Sequence, residues 1–308
     1  MAGRKAGVRR IRHKLGKVPH PKSARARRPV KPHSAKGAGN AKRAKRRAAG
    51  AMHVPVPKAA KGVAREYVKT GIAGLDGLLE KGIPKNSSII IAGGAGSGKT
   101  LMGLQILANA ARGGKKSLYM SFEESEERLR QHMEDFGWGP RELERKGSLM
   151  IKRLSIFDIR RSLDALMAKS EGELFIDVMP IILPAGFKPD LIVLDSLTAI
   201  ASAFKGDETY RSYIEHLFRY LESMSVTSFL ITETEQVPVI FSPTGVEEFL
   251  ADGVIVLYNI RKGDIRESAI EVLKMRGGKH MKKVVAMQVV SNAGIEVYPD
   301  QEVFSGIK

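Results

Sequence analysis

The chain has no cysteine in its 308 residues. That excludes disulfides and thiolate metal sites, and it fits a reducing, cytoplasmic setting. No apolar run approaches the ~18 residues a membrane span needs, and no apolar stretch follows the N-terminal charges as a secretory leader would require. Acidic residues are absent from residues 1–65, and so are aromatics, the first of which is Tyr67. The same 65 residues carry 21 Lys and Arg, leaving 30 basic against 33 acidic residues in the rest of the chain. The formal charge of +18 therefore belongs to the N-terminal segment, and the remainder is close to neutral. A segment with so much like charge and so little bulky apolar surface cannot offset the entropy lost on ordering. The expectation is a disordered basic tail over residues 1–65 and a folded body over 66–308. Dense cations without acids point to nucleic acid as the tail's partner, with Ala41–Ala49 able to become helical on a polyanion. The other reading is a solvated tail with no partner.

The body is organised around Gly93-Gly94-Ala95-Gly96-Ser97-Gly98-Lys99-Thr100, a G-x-x-x-x-G-K-[ST] sequence. An apolar run, Ser87–Ala92, precedes it and reads as a buried strand. Leu101, Leu104, Leu107 and Ala111 follow at helical spacing. Strand, glycine loop and helix in that order form a phosphate cradle, in which backbone N–H groups and the positive helix end face an anion. Residues Gly94 to Leu101 are the candidate nucleotide contacts: Gly94, Ala95, Gly96, Ser97, Gly98, Lys99, Thr100 and Leu101. Lys99 is expected to reach the β- and γ-phosphates of ATP, and the Thr100 hydroxyl to bind Mg2+.

Further along, Lys116–Phe122 reads as a second strand, ending in Glu123-Glu124, and Ser125 as the cap of a helix reaching Phe136. Leu149–Leu154 reads as a strand, residues 158–169 as a helix and residues 170–188 as an irregular connection. Leu191–Asp195 is a strand that ends in an acid. From Glu208 to Ser225 a helix is expected, with Tyr210, Tyr213, Ile214, Leu217 and Leu221 on one face. Strands are then expected at Thr227–Thr232, Gly253–Tyr258, Ala269–Lys274, Lys283–Val290 and Gly294–Tyr298. Alternation of strands and helices followed by hairpins predicts an α/β fold: a mostly parallel sheet flanked by helices, with an antiparallel edge.

Ligands of such sheets bind at the carboxyl ends of the strands. Asp195, closing an apolar run, has the form of the acid that holds a nucleotide's Mg2+. Glu123 and Glu124 follow a strand near the phosphate loop, where a carboxylate can orient and deprotonate water. Since neighbours on a strand point to opposite sides, one of the pair is expected to face the γ-phosphate, with Glu123 preferred and Glu124 in support. Thr232-Glu233 forms a third polar strand end, either a γ-phosphate sensor or a simple polar cluster. Lys274 and Arg276 lie two apart on a predicted strand and so share a face.

Six blocks in series carry a family resemblance: Thr70–Pro84, the phosphate loop, Ser121–Ser125, Leu194–Leu197, Gly245–Gly253 and Leu273–His280. Over residues 66 to about 300 the chain resembles the KaiC group of RecA-like ATPases. The phosphate loop is common to many ATPases, whereas the last two blocks are much narrower. The resemblance implies a RecA-like core, ATP with Mg2+, and a homo-oligomer, a hexameric ring with nucleotide between subunits. It further implies that the paired glutamates are catalytic, and that Lys274, Arg276 and His280 reach the nucleotide of the adjacent subunit. Two departures stand out. The clock proteins carry two such domains, and where their autophosphorylated Ser-Thr pair falls this chain has Glu248-Phe249. ATP hydrolysis in a regulatory or signalling role is therefore expected, and a clock-type autokinase is not. A RadA-type recombination ATPase is the alternative within the superfamily, but the chain has no Lys or Arg between Tyr220 and Ile260, where one DNA-contacting loop should fall. A non-hydrolysing, ATP-gated scaffold is the third reading.

Overall fold

The structure is a computed structural model that describes residues 65–301 and 303, apart from 158, 160, 162–180, 182 and 205. The expected basic tail, all but Arg65, lies outside the described residues, as do nearly all of the expected helix over 158–169 and much of the connection over 170–188.

Among the described residues nine strands form one sheet. In chain order these are β3 (Ser88–Gly93), β4 (Ser117–Ser121), β5 (Leu149–Arg153), β6 (Leu191–Asp195), β7 (Thr227–Glu233), β8 (Gly253–Lys262), β9 (Ile265–Met275), β10 (Val285–Val290) and β11 (Gly294–Tyr298). A two-residue ribbon precedes them, pairing β1 (Tyr67–Val68) with β2 (Ile83–Pro84). The spatial order is β11-β10-β9-β8-β3-β7-β6-β4-β5. Every pairing from β8 across to β5 is parallel, and β8 through β11 pair antiparallel. This is the predicted mostly parallel sheet with an antiparallel edge. The strand carrying the phosphate loop, β3, sits between β7 and β8, so the loop leaves the sheet near its middle.

Period-two alternation divides the sheet into two apolar faces. Ile89, Ile91, Tyr119, Val193, Phe229, Ile231 and Ile255 point to one side. There they meet α2 (Lys99–Arg112), α3 (Glu126–Asp135) and α4 (Pro140–Arg145) through Met102, Ile106, Leu129 and Leu143. Ile90, Leu118, Ile192, Leu194, Leu230 and Val256 point to the other side and meet α6 (Asp207–Ser223). The face of α6 predicted from periodicity is the buried one: Tyr210, Tyr213, Ile214, Leu217 and Leu221 are each no more than 2% exposed. The expected helix cap at Ser125 is present, its hydroxyl accepting from the Arg128 N–H.

Three short helices complete the described elements: α1 (Leu75–Leu78), α5 (Leu197–Ala201) and α7 (Val246–Leu250). Gly74, which leads into α1, needs its glycine. Its φ is +79°, and a Cβ there would stand 1.8 Å from the Val297 carbonyl oxygen of β11. The segment before it is tied down by Asp76, whose carboxylate accepts from the Thr70 N–H, the Thr70 hydroxyl and the Gly71 N–H. The resemblance block Thr70–Pro84 is thus a clamp that packs the start of the body onto α2 and β11.

Candidate nucleotide site at the carboxyl ends of the central strands

A cavity of about 400 Å3 opens where β3, β4, β6 and β7 end. Its walls are the phosphate loop, the first turns of α2, Glu123, Glu124, Asp195 and Glu233, with His132 of α3 and Phe136 just past that helix at one side. The loop turns because Gly96 and Gly98 take φ of +73° and +97°, values that side chains strongly disfavour. Lys99 is 7% exposed, and its ammonium donates to the Gly94 carbonyl at 3.0 Å, across its own loop. Burial lowers its pKa, against the pull of the Glu233, Asp195 and Glu123 carboxylates.

The residues fit a phosphate chain. Among the described residues Ser97 Oγ is buried without a hydrogen-bond partner, an unmet polar group of the kind a ligand satisfies. Lys99 is close to three acids, and among the described residues no carboxylate is bonded to it, so its charge remains for an anion. Gly93 leaves no room for a side chain, since a Cβ would lie 2.5 Å from the Leu257 carbonyl oxygen, whereas one at Gly94 would meet the flexible amide end of Gln236 at 2.7 Å. The donor set also fits Mg2+. Thr100 Oγ1 donates to Asp195 Oδ2 at 2.9 Å, placing a hydroxyl and a carboxylate side by side. Among the described residues no group of three or more His, Cys, Asp or Glu could hold a metal alone. Mg2+ usually takes one or two carboxylates with phosphate oxygens and water, and this pair suits that role.

Asp195 is 3% exposed. Burial raises its pKa, and the hydroxyls of Tyr119 and Thr100 oppose the rise. It is held in place by register: Ser121 of β4 lies opposite Asp195 of β6, and the Phe122 N–H donates to the Asp195 carbonyl at 2.7 Å.

The two glutamates differ from expectation in one respect. Strand β4 ends at Ser121, so Glu123 and Glu124 sit in a turn and not on a strand. The Ser121 hydroxyl accepts from both of their N–H groups, at 3.1 and 3.0 Å, and both side chains line the cavity. Strand alternation therefore does not separate them; their partners do. Glu123 Oε1 accepts from the neutral Ser196 hydroxyl at 2.6 Å. Glu124 Oε2 is bonded to Arg128 Nε at 2.9 Å and to His132 Nε2 at 3.0 Å. Glu124 is thus held by a guanidinium and an imidazole and Glu123 by a hydroxyl, which favours Glu123 as the carboxylate available to a water.

At the end of β7 only part of the predicted pair faces the cavity. Glu233 lines it, and its N–H donates to Thr198 Oγ1. Thr232 is fully buried and donates to the Phe241 carbonyl, so it serves the following loop. Lys274, Arg276 and His280 lie elsewhere, and none lines the cavity. Lys274 Nζ donates to the carbonyls of Glu248 and Ala251, and Arg276 to those of Phe249 and Leu250. Two cations thus cap the carbonyl end of α7. Lys274 is partly buried, which with the nearby Arg276 charge lowers its pKa. Arg276 is exposed and spends only two of its five N–H donors this way. His280 lies beside α1, where the Met281 N–H donates to the Leu78 carbonyl. Its Nε2 is buried without a partner among the described residues, and burial together with Lys282 lowers its pKa.

Sequence reasoning gave no role to several residues that shape the site. Ser196 follows the strand-end acid and caps α5 while donating to Glu123. Its position after Asp195 was the only available signal. His132 on α3, Phe136 at its C-terminal cap, and Gln236, which donates to the Ala95 carbonyl across the loop, carry no local signature at all. Glu247 is likewise part of a resemblance block whose role is structural: fully buried, it accepts from the Tyr210 hydroxyl and the Thr244 hydroxyl.

A mostly parallel sheet with a phosphate loop, a paired Thr–Asp and acids at its strand ends defines a P-loop nucleotide-binding domain of RecA-like fold. Comparison with known proteins narrows the class. The family described as "ATPase: KaiC" matches residues 68–302, and the chain belongs to that family. It is 32% identical over 241 residues to the circadian clock protein KaiC3 of Synechocystis sp., covering 76% of this chain and 46% of the relative. It is 31% identical over 254 residues to the circadian clock oscillator protein KaiC of Picosynechococcus sp., covering 78% and 46%. The chain thus spans about half the length of the clock proteins it matches. The crystal structure of a KaiC-like protein from Pyrococcus horikoshii OT3 superposes with a TM-score of 0.63 at 29% identity, covering 76% of this chain and all of that one. Among the described residues no helix is long and apolar enough to cross a membrane.

Proposed function

We propose that this chain binds ATP with Mg2+ and hydrolyses it, as a slow regulatory or signalling ATPase of the cytoplasm. The observation that carries this reading is the convergence in one cavity of Lys99, the Thr100–Asp195 pair and a glutamate, Glu123, held by a neutral hydroxyl. The phosphate loop from Gly94 to Leu101 binds the phosphates, Lys99 neutralises them, and Glu123 orients water and takes its proton while Glu124 supports the turn. Mg2+ held through Thr100 and Asp195 supplies charge neutralisation on the transferring phosphoryl group.

Among the described residues Lys99 is the Lys or Arg that lines the cavity, and phosphoryl transfer gains from a second cation. Arg276, exposed and with unspent donors, suits delivery to the nucleotide of a neighbouring subunit in a ring, six-membered by analogy with the family. Lys274 and His280 belong to the same edge and would support it. Mixing tests this. Arg276→Ala and Glu123→Gln/Glu124→Gln proteins are each expected to be nearly inactive in phosphate release yet able to bind ATP, and mixed rings to regain activity at junctions pairing an intact glutamate with an intact arginine. Absence of rescue in mixtures that form rings refutes the shared site. If the unaltered chain binds ATP without releasing phosphate, the ATP-gated scaffold replaces the hydrolytic reading.

Residues 1–65 are proposed to contact nucleic acid through their 21 cations, independently of sequence. The recombination reading is disfavoured by the loop after β7, which exposes Val237, Val239 and Ile240 beside Glu235 and contains no cation.

A further inference from the structure

One polar group stands inside the apolar layer beneath the cavity. Tyr119 of β4 is fully buried in the apolar layer between the sheet and α2, with Val193 of β6 directly opposite it. A phenylalanine ring would suit that apolar layer equally well. Its hydroxyl nevertheless donates to Asp195 Oδ2 at 2.7 Å, on the same oxygen that accepts from Thr100 at 2.9 Å. Oδ1 takes no hydrogen bond from the described residues, so the two hydroxyls leave one carboxylate oxygen open. The ring also occupies space vacated by a helix: a Cβ at Gly103 of α2 would lie 3.3 Å from Tyr119 Cε2 and 3.0 Å from Val193 Cγ1. A buried phenol costs desolvation unless its hydroxyl is used, and here its use is the acid.

We infer that Tyr119 is a positioning residue for the metal side of the site: its hydroxyl pins one oxygen of Asp195, so that the other oxygen and the Thr100 lone pairs present themselves to the cation of Mg·ATP. This rests on the Mg·ATP reading above. Thr100 supports the arrangement, because donating its only proton to Asp195 leaves its oxygen lone pairs free for a metal. Tyr119 is fully buried, does not line the cavity, and is not itself catalytic.

Tyr119→Phe in the full-length chain tests the inference. A fluorescent ATP analogue is titrated in EDTA and then across a Mg2+ series, and melting temperature is followed with ATP in both conditions. Losing a hydrogen bond to a charged group weakens the metal response by roughly tenfold. The Mg2+ concentration for half-maximal tightening should rise by about that factor, and the Mg2+-dependent part of the thermal shift should shrink. Affinity in EDTA should hold, and the unliganded protein should melt only a little lower, because the core loses one hydrogen bond and no packing and Thr100 still donates to Asp195. In an Asp195→Asn background, Tyr119→Phe should have no further effect on the Mg2+ response. A Mg2+ midpoint within about twofold of the unaltered chain, against the tenfold expected, overturns the inference. So does a parallel loss of affinity in EDTA, or a Phe variant that fails to fold, since either makes the tyrosine a general support. If the unaltered chain itself shows no Mg2+ effect on ATP binding, the Mg·ATP reading falls and takes this one with it.

Discussion

Glu123→Gln should remove nearly all hydrolysis, and Glu124→Gln should not. The amide is isosteric, and its carbonyl oxygen can still accept from the Ser196 hydroxyl, which lies 2.6 Å from Glu123 Oε1 in the unaltered chain. Geometry is therefore kept and basicity is lost. A positioned general base contributes roughly 10²- to 10⁴-fold, which is about 3–5 kcal/mol of barrier at ~1.4 kcal/mol per decade. The turnover number should fall by that factor, while ATP affinity stays within about threefold because Glu123 makes no ground-state bond to phosphate. Glu124 is different. Its pair with Arg128 is largely exposed, the arginine side chain being 71% accessible, and such pairs contribute ~1 kcal/mol or less. Glu124→Gln should therefore slow turnover by roughly tenfold at most. Ser196→Ala should fall between, since it frees the Glu123 carboxylate without removing it. Single-turnover phosphate release with saturating Mg·ATP reads the chemical step, and a fluorescent nucleotide reads affinity. An equal or larger loss in Glu124→Gln than in Glu123→Gln would refute the assignment by partners.

Three further outcomes are expected. Asp195→Asn should abolish the Mg2+ effect on ATP binding yet leave the unliganded fold as stable or more so at neutral pH. Burial raises the Asp195 pKa, so above the ordinary carboxylate value of ~3.9 the fold retains a proton that the unfolded chain has released. Stability then declines as pH rises through that window and stays lowered above it; melting curves of both proteins near neutral pH and in acid should show the difference vanish in acid. Gly74→Ala forces a side chain into a left-handed backbone and a Cβ to within 1.8 Å of the Val297 carbonyl oxygen, so it should cost about 3 kcal/mol or more, seen as a drop of roughly 10 °C in melting temperature. Deleting residues 1–65 should abolish binding to duplex DNA, whose log K falls with log salt at roughly −0.9 per neutralised phosphate, and spare ATP hydrolysis; DNA binding that survives the deletion places the contact in the body.

Local order determined much of this protein in advance. The strand, glycine loop and helix of Ser88–Arg112 form one contiguous unit whose conformation follows from apolar runs, glycine and helical spacing, and α6 buries the face its period marks. Asp195 was legible for the same reason: an acid closing a buried strand of a parallel sheet lands where ligands bind. Tertiary structure decided what pairing and proximity bring together. Only the β4–β6 register sets Tyr119, Ser121 and Asp195 side by side across 76 residues of sequence. The turn at Glu123-Glu124 is fixed by the Ser121 hydroxyl and not by strand alternation, so which glutamate is left available to water depends on Ser196, Arg128 and His132, contacts that leave no periodic trace. The placement of Lys274 and Arg276 on the carbonyl end of α7 depends on the β8–β9 pairing, which shifts register at Val254/Ile255 and carries both cations onto that helix. Side-chain periodicity reports which face a residue occupies; the partner on that face is chosen by long-range packing, and the chemistry of this site depends on those partners.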